Sequence, residues 1–99
     1  MVEEELTMEE WVLNEAEKRG LDRKEVWAIV QCESGWNEYA INKNNNHTFD
    51  LGLFQLNDVH KIPRSCTLNY KCNTEKALDM RIRNENWGAW VCSKKLGIN

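Results

Sequence analysis

Two carboxylates stand out by their surroundings. Glu33 follows Val26 by seven residues, Ile29 by four and Val30 by three. On a helix, that spacing puts its carboxyl on the apolar face, near the C-terminal end. Lost solvation and the negative end of the helix would both raise its pKa. A raised carboxyl pKa is what a general acid needs at neutral pH. The competing structural role is an ion pair with Arg81 or Arg83. Asp50 is placed differently: it follows an Asn-rich polar stretch and precedes Leu51-Gly52, where the chain turns apolar again. Its ordinary role there would be to form a turn. One carboxyl in apolar and one in polar surroundings is the pairing that glycoside cleavage requires. Gln55 and Asn57 lie two apart, so on an extended segment both would face one side, available to a sugar. Trp87 and Trp90 offer flat apolar faces with one N–H each, suited to walling a cleft or filling a core.

These residues need elements to hold them. Thr7 with Glu10 reads as a capping box, flanked by Leu6 and Trp11 as a hydrophobic staple, and opens a helix over Met8–Arg19 with Val12 and Ala16 inward. Gly20 fits the position just past its end. A second helix is expected from Asp22 to Ser34. Val26, Trp27, Ala28, Ile29, Val30 and Cys32 leave little of it polar, which predicts a central, buried helix ended by Gly35. Residues 41–50 read as a loop or short hairpin built on Asn42, Lys43, Asn44, Asn45, Asn46 and His47. Gly52 to Leu56 is a compact apolar strip, and Asn57-Asp58 could cap a short helix. Ile62 to Lys71 reads as loop. Asn73 can cap a helix running to Arg83, with Leu78 and Ile82 four apart. Trp87, Trp90, Val91 and Lys94 have helical spacing and predict a closing helix from Trp87 to Lys95.

The 99 residues suit one domain, 1–99, with residues 1–6 as an acidic N-terminal extension. The net charge of −3 is uneven, since Glu3, Glu4, Glu5, Glu9 and Glu10 supply five of the sixteen acids. No basic stripe marks a nucleic-acid surface. The longest apolar run, Val26 to Val30, is too short for a membrane span. No basic stretch followed by an apolar one marks a signal peptide, so the expectation is a removed leader or another export route. Four cysteines permit a full disulfide framework with three possible connectivities. Cys66 and Cys72 lie six apart in a polar stretch, whereas Cys32 and Cys92 lie in distant apolar segments. The pairs Cys66–Cys72 and Cys32–Cys92 are favoured, worth roughly 2 and roughly 4 kcal/mol in the chain-entropy picture. Such bridges would place the chain in an oxidising compartment. His60 is near Cys66, but the spacing is wrong for zinc, and no metal or cofactor is expected.

Three stretches together carry a resemblance. Glu33-Ser34-Gly35-Trp36-Asn37, Ala40-Ile41-Asn42-Lys43-Asn44 and Asp50-Leu51-Gly52-Leu53-Phe54-Gln55-Leu56-Asn57 resemble the lysozyme superfamily. They are similar both to animal c-type lysozymes and to the small bacterial lytic transglycosylases (SLT domain) of secretion and conjugation systems. Trp87-Gly88-Ala89-Trp90-Val91-Cys92 resembles the tryptophan-rich closing helix of both. The match covers roughly residues 26–92. Leu51 departs from it, standing where these families often carry an aromatic, and Cys32 is not at the c-type cysteine position.

The resemblance implies a mainly helical, α+β lysozyme-like fold. A central helix would carry the acid, and a small hairpin or loop lobe would complete a cleft. It implies Glu33 as the catalytic acid, Asp50 as the second carboxylate, Ser34 near the acid, and Gln55, Asn57 and Trp90 along the central subsites, with Trp87 beside them. The implied reaction is cleavage of the β-1,4 bond between N-acetylmuramic acid and N-acetylglucosamine in peptidoglycan, with lytic transglycosylase chemistry favoured. A retaining hydrolase using Asp50 is the alternative. A non-catalytic glycan-binding protein or a part of a phage tail or secretion apparatus is a third reading. The expected partner is the peptidoglycan strand, met by a monomer outside the cell or in the periplasm.

Overall fold

The computed structural model describes residues 6–99, so the acidic stretch Glu3–Glu5 lies outside the described residues. Helix α1 spans Met8–Lys18. Thr7 Oγ1 accepts from the Glu10 amide at 3.1 Å, and the Thr7 amide donates to Glu10 Oε1 at 3.2 Å, so the capping box is formed. Val12 and Ala16 are fully buried, and Gly20 leaves the helix at φ +74°. Helix α2 spans Arg23–Ser34, capped by Asp22 and ended by Gly35 in the left-handed conformation. The Asp22 carboxylate accepts from the Lys24 amide at 2.8 Å.

α2 is not apolar all round, contrary to expectation. Only Val26, Ile29 and Val30 are buried. Trp27 is 40% exposed and donates its indole N–H to Glu9 at 2.6 Å. Its ring is apolar and its edge polar, so it serves at the rim between α1 and α2 rather than inside.

Three short antiparallel strands form the small lobe: β1 (Ile41–Lys43), β2 (Phe49–Leu51) and β3 (Leu56–Asn57), in that order. The turn joining β1 to β2 closes with the Asn44 amide on the Thr48 carbonyl at 2.8 Å. Asp50 sits opposite both Asn42 and Asn57 in the register. The rung Asn42–Asp50–Asn57 therefore crosses the whole sheet, with its three side chains on one face.

A 3₁₀ turn, Asp58–His60, follows β3, and the Asn57 side chain caps it through the Val59 amide. Helix α3 (Arg64–Thr67) is a single turn, and α4 runs over Tyr70–Asn84. The stretch expected as loop thus holds α3 and the start of α4. The cap of α4 is Asn69, not Asn73. Asn73 lies inside α4, fully buried, and spends its carboxamide across the fold. Its Oδ1 accepts from the Phe54 amide at 2.9 Å, and its Nδ2 donates to the carbonyls of Leu51 and Thr67 at 3.0 and 2.9 Å. Asn73 therefore ties α4 to the strip that follows Asp50. Asn73→Ala leaves one buried amide and two carbonyls short of a partner, and should cost about 2–5 kcal/mol in a urea unfolding curve. A loss under about 0.5 kcal/mol would contradict that role. Of the pair four apart, Leu78 is fully buried and Ile82 is 45% exposed. The inward face of α4 carries Asn73, Thr74, Ala77 and Leu78 instead.

The closing helix α5 spans Val91–Leu96, shorter than expected. Trp87 and Trp90 precede it on a turn, with the Trp90 amide on the Trp87 carbonyl at 3.0 Å. Both rings turn into the core, their centroids 5.0 Å apart and edge to face. The Trp90 indole donates to the Phe54 carbonyl at 2.9 Å, which fixes the segment before α5 begins. The core joins Val12, Val26, Ile29, Val30, Phe54, Leu78, Trp87 and Trp90 in one cluster. Disulfides link Cys32 to Cys92 and Cys66 to Cys72. The chain is thus mainly helical with a small β lobe. Among the described residues no helix is long and apolar enough to cross a membrane.

Candidate active site

Between the helical body and the β lobe lies a cleft of about 290 Å³. Glu33 enters it from the last turn of α2 and Asp50 from the middle of β2. Ala89, Trp90 and Val91 also line it, as do Asn44, Asn46 and His60. Elements distant in sequence thus bring the two carboxylates together.

Glu33 is partly buried. Its Oε2 accepts from the Cys92 amide at 3.1 Å. Desolvation dominates its acidity and raises its pKa above the usual glutamate value. The Cys92 amide opposes this, the Asp50 charge adds to it, and the Lys95 charge opposes it more weakly. The competing role foreseen for Glu33, an ion pair with an arginine, is not formed among the described residues. Arg81 instead lies over the Trp87 ring, 5.4 Å from its centroid.

Asp50 is held from one side. Asn57 Nδ2 donates to Asp50 Oδ1 at 3.0 Å and to Thr48 Oγ1 at the same distance. Thr48 Oγ1 also accepts from Asn44 Nδ2 at 3.2 Å and donates to Asn46 Oδ1 at 2.6 Å. The floor of the β lobe is therefore one polar network that ends on the Asp50 carboxylate, and among the described residues that carboxylate forms no salt bridge. A carboxylate in this setting can stabilise positive charge developing nearby.

The other residues singled out in the sequence divide. Asn57 and Trp90 line the cleft as foreseen. Gln55 also lines it, but not on an extended segment: its φ is +53° and it is 8% exposed. Its carboxamide is committed within the protein, donating to the carbonyls of Ala40 and Gly52 and accepting from Asn42 at 2.7 Å. Gln55 thus ties the strip to β1 rather than presenting a free amide to a sugar. Trp87 is fully buried behind Trp90 and does not line the cleft. Ser34 does not line it either, because its hydroxyl turns back to the Val30 carbonyl at 3.3 Å. Asn44, Asn46, Thr48 and His60 also line the cleft and were not foreseen from the sequence. The run of asparagines was visible, but turn formation accounted for it. Among the described residues no cluster of three or more His, Cys, Asp or Glu could hold a metal ion.

A helical body with a small antiparallel lobe and a carboxylate on each side of the cleft defines a lysozyme-like protein. The family model described as "Transglycosylase SLT domain" matches residues 10–94, and the chain belongs to that family. Protein IpgF of Shigella sonnei is 52% identical over 33 residues, which are 33% of this chain and 22% of that protein. Protein IpgF of Shigella flexneri matches to the same extent. The matched stretch thus covers less than a quarter of the length of these curated relatives. The crystal structure of a lysozyme from Litopenaeus vannamei superposes with a TM-score of 0.59 at 24% identity, over 90% of this chain and 84% of that one. That likeness is one of fold.

Proposed function

We propose that the whole chain is one catalytic unit. It cuts the β-1,4 bond between N-acetylmuramic acid and N-acetylglucosamine in peptidoglycan, as a lytic transglycosylase with Glu33 as the acid. The observation that carries this reading is a partly buried carboxyl with a raised pKa, in no salt bridge among the described residues, facing a cleft that Asp50, Asn57 and Trp90 also line. Family membership supports the choice of substrate and outcome. The protonated Glu33 gives its proton to the bridging oxygen as the bond from C1 of the muramic sugar breaks. Positive charge develops on the ring, as in other glycosidases, for which lysozyme is the type case. Glu33, now a carboxylate, takes the proton from the sugar's own 6-hydroxyl, whose oxygen closes on C1 to leave a 1,6-anhydro end. We place the protein where peptidoglycan is met, outside the cell or in the periplasm, acting as a monomer. Two disulfides support such an oxidising setting.

A second reading is a retaining hydrolase in which Asp50 stabilises the cation or attacks it, and water completes the reaction. The observation favouring it is that Asp50 shares the cleft and adds its charge to Glu33's surroundings. Asp50→Asn separates the two. It should leave lysis within about tenfold of wild type for the transglycosylase, and remove on the order of 10²-fold or more for the hydrolase. A non-catalytic glycan-binding or apparatus role is weaker, because partly burying a carboxyl that no salt bridge offsets is costly without a task.

The acidity of Glu33 gives a further expectation. The acid acts when protonated, so lysis should fall as pH rises through its raised pKa. Asp50 contributes to that raise, so Asp50→Asn should move this alkaline limb to lower pH. An unmoved limb in a pH–rate profile would show that the two groups do not interact.

A further inference from the structure

The Cys32–Cys92 disulfide touches the acid at both ends. Cys32 directly precedes Glu33 in α2, and the amide of Cys92 is the group that donates to Glu33 Oε2. The two Cα atoms are 6.0 Å apart and sixty residues apart in sequence. The helix that supplies this amide is anchored ahead of its start by Trp90, and the bridge adds a second tie. With six residues, α5 is far shorter than a helix that persists alone. Its main packing partner is α2. The residue capping it, Trp90, makes no side-chain cap bond; its carbonyl takes the Ser93 amide at 3.1 Å, and the Cys92 amide needs an acceptor elsewhere. Glu33 is that acceptor for Cys92.

We propose that the Cys32–Cys92 bridge is the positioning device of the acid: it ties the start of α5 to the end of α2, so that the Cys92 amide holds one carboxyl oxygen of Glu33 and directs the other at the cleft. The proposal rests on the reading of Glu33 as the acid. Cys32 and Cys92 are positioning residues in it, since neither sulfur lines the cleft. The Cys66–Cys72 bridge is a built-in contrast. It closes a seven-residue loop between α3 and α4, and neither of its cysteines lines the cleft that Glu33 lines. Of the charged groups near Glu33, Lys95 belongs to α5 and moves with it, whereas Asp50 belongs to β2 and stays.

The test compares Cys32→Ala/Cys92→Ala with Cys66→Ala/Cys72→Ala at equal folded fraction, judged by circular dichroism. Lysis is measured as kcat and KM on purified cell walls. The residue-92 amide is followed by nitrogen-15 NMR across the titration of Glu33. In wild type the Cys92 amide should shift as Glu33 titrates, and that response should vanish in Glu33→Gln. Without the Cys32–Cys92 bridge, residue 92 should stop responding, and kcat should fall by on the order of 10²-fold with KM little changed. The Cys66/Cys72 variant should keep its kcat within about twofold. A folded Cys32/Cys92 variant with wild-type kcat overturns the proposal. So does a loss of kcat with the residue-92 amide still following Glu33. If the variant unfolds, trimethylamine oxide can restore the compact state without rejoining the sulfurs, and both readouts then apply. Failure of the underlying reading looks different: Glu33→Gln would itself lyse walls at the wild-type rate.

Discussion

Glu33→Gln should lower the rate of cell-wall lysis by about 10²–10⁴-fold, with the fold unchanged. The substitution is close to isosteric. Its amide oxygen can still accept from the Cys92 amide, as Glu33 Oε2 does at 3.1 Å. It also removes a partly buried ionisable group whose desolvation is unfavourable, so stability should hold or rise slightly. What it removes is the transferable proton. Turbidity of a suspension of purified walls measures the rate, and circular dichroism with a thermal melt checks the fold. A rate within about tenfold of wild type would remove Glu33 as the acid. A lost rate accompanied by a lost fold would leave the comparison to Glu33→Asp, which keeps a proton but shortens the reach.

The second large effect concerns Gly52, which carries no chemistry. It follows Asp50 by two residues at φ +77°, where the strip turns under the β lobe. A Cβ there would stand 2.5 Å from Asn73 Nδ2 and still closer to the Thr67 carbonyl oxygen. Thr67 is in α3 and Asn73 in α4, so the collision is with the wall supporting the strip. Neither can retreat easily. The Asn73 carboxamide is pinned by three hydrogen bonds, and Thr67 is backbone at this point. Gly52→Ala therefore combines a left-handed conformation, about 1–2 kcal/mol, with overpacking of about 1–3 kcal/mol. A loss of about 2–5 kcal/mol in urea unfolding is expected, large beside the whole stability of a small domain. A loss below about 0.5 kcal/mol would mean that the strip and α3 separate without cost.

The sequence made some parts of this protein legible and hid others, for physical reasons. The start of α1 and the ends of α2 were readable because capping is local: Thr7 meets Glu10 three residues on, Asp22 meets Lys24, and Gly35 needs no distant partner. Glu33 was readable for the same reason, since one helical face records its burial. Asp50 was readable through the change from polar to apolar residues around it. Asn73 misled because an asparagine before an amphipathic run looks like a cap. Its three partners lie 6, 19 and 22 residues away, and nothing local announces them. The spacing of Trp87, Trp90, Val91 and Lys94 imitates a helix, yet the two rings are turned inward by a turn and by the Phe54 carbonyl. Gln55 was read as extended because its positive φ follows from how the strip packs, not from its residue type. Asn44, Asn46 and Thr48 reach the cleft only through pairing of β1 with β2, and their link to Asp50 runs through Asn57 on β3. Side chains placed by one local segment could be located from the sequence, whereas those placed by a network across strands could not.

The most direct test of the account is mass spectrometry of muropeptides released from purified peptidoglycan by the wild-type chain and by Glu33→Gln. The wild-type digest should contain new glycan ends in the 1,6-anhydro form, one water or about 18 Da lighter than reducing ends, as expected when the sugar's own hydroxyl replaces the attacking water. The Glu33→Gln digest should lack them. Reducing ends alone would make this chain a hydrolase and overturn the transglycosylase outcome. No new ends from the wild-type chain, or the same ends from Glu33→Gln, would contradict the claim that this cleft cuts glycan strands through Glu33.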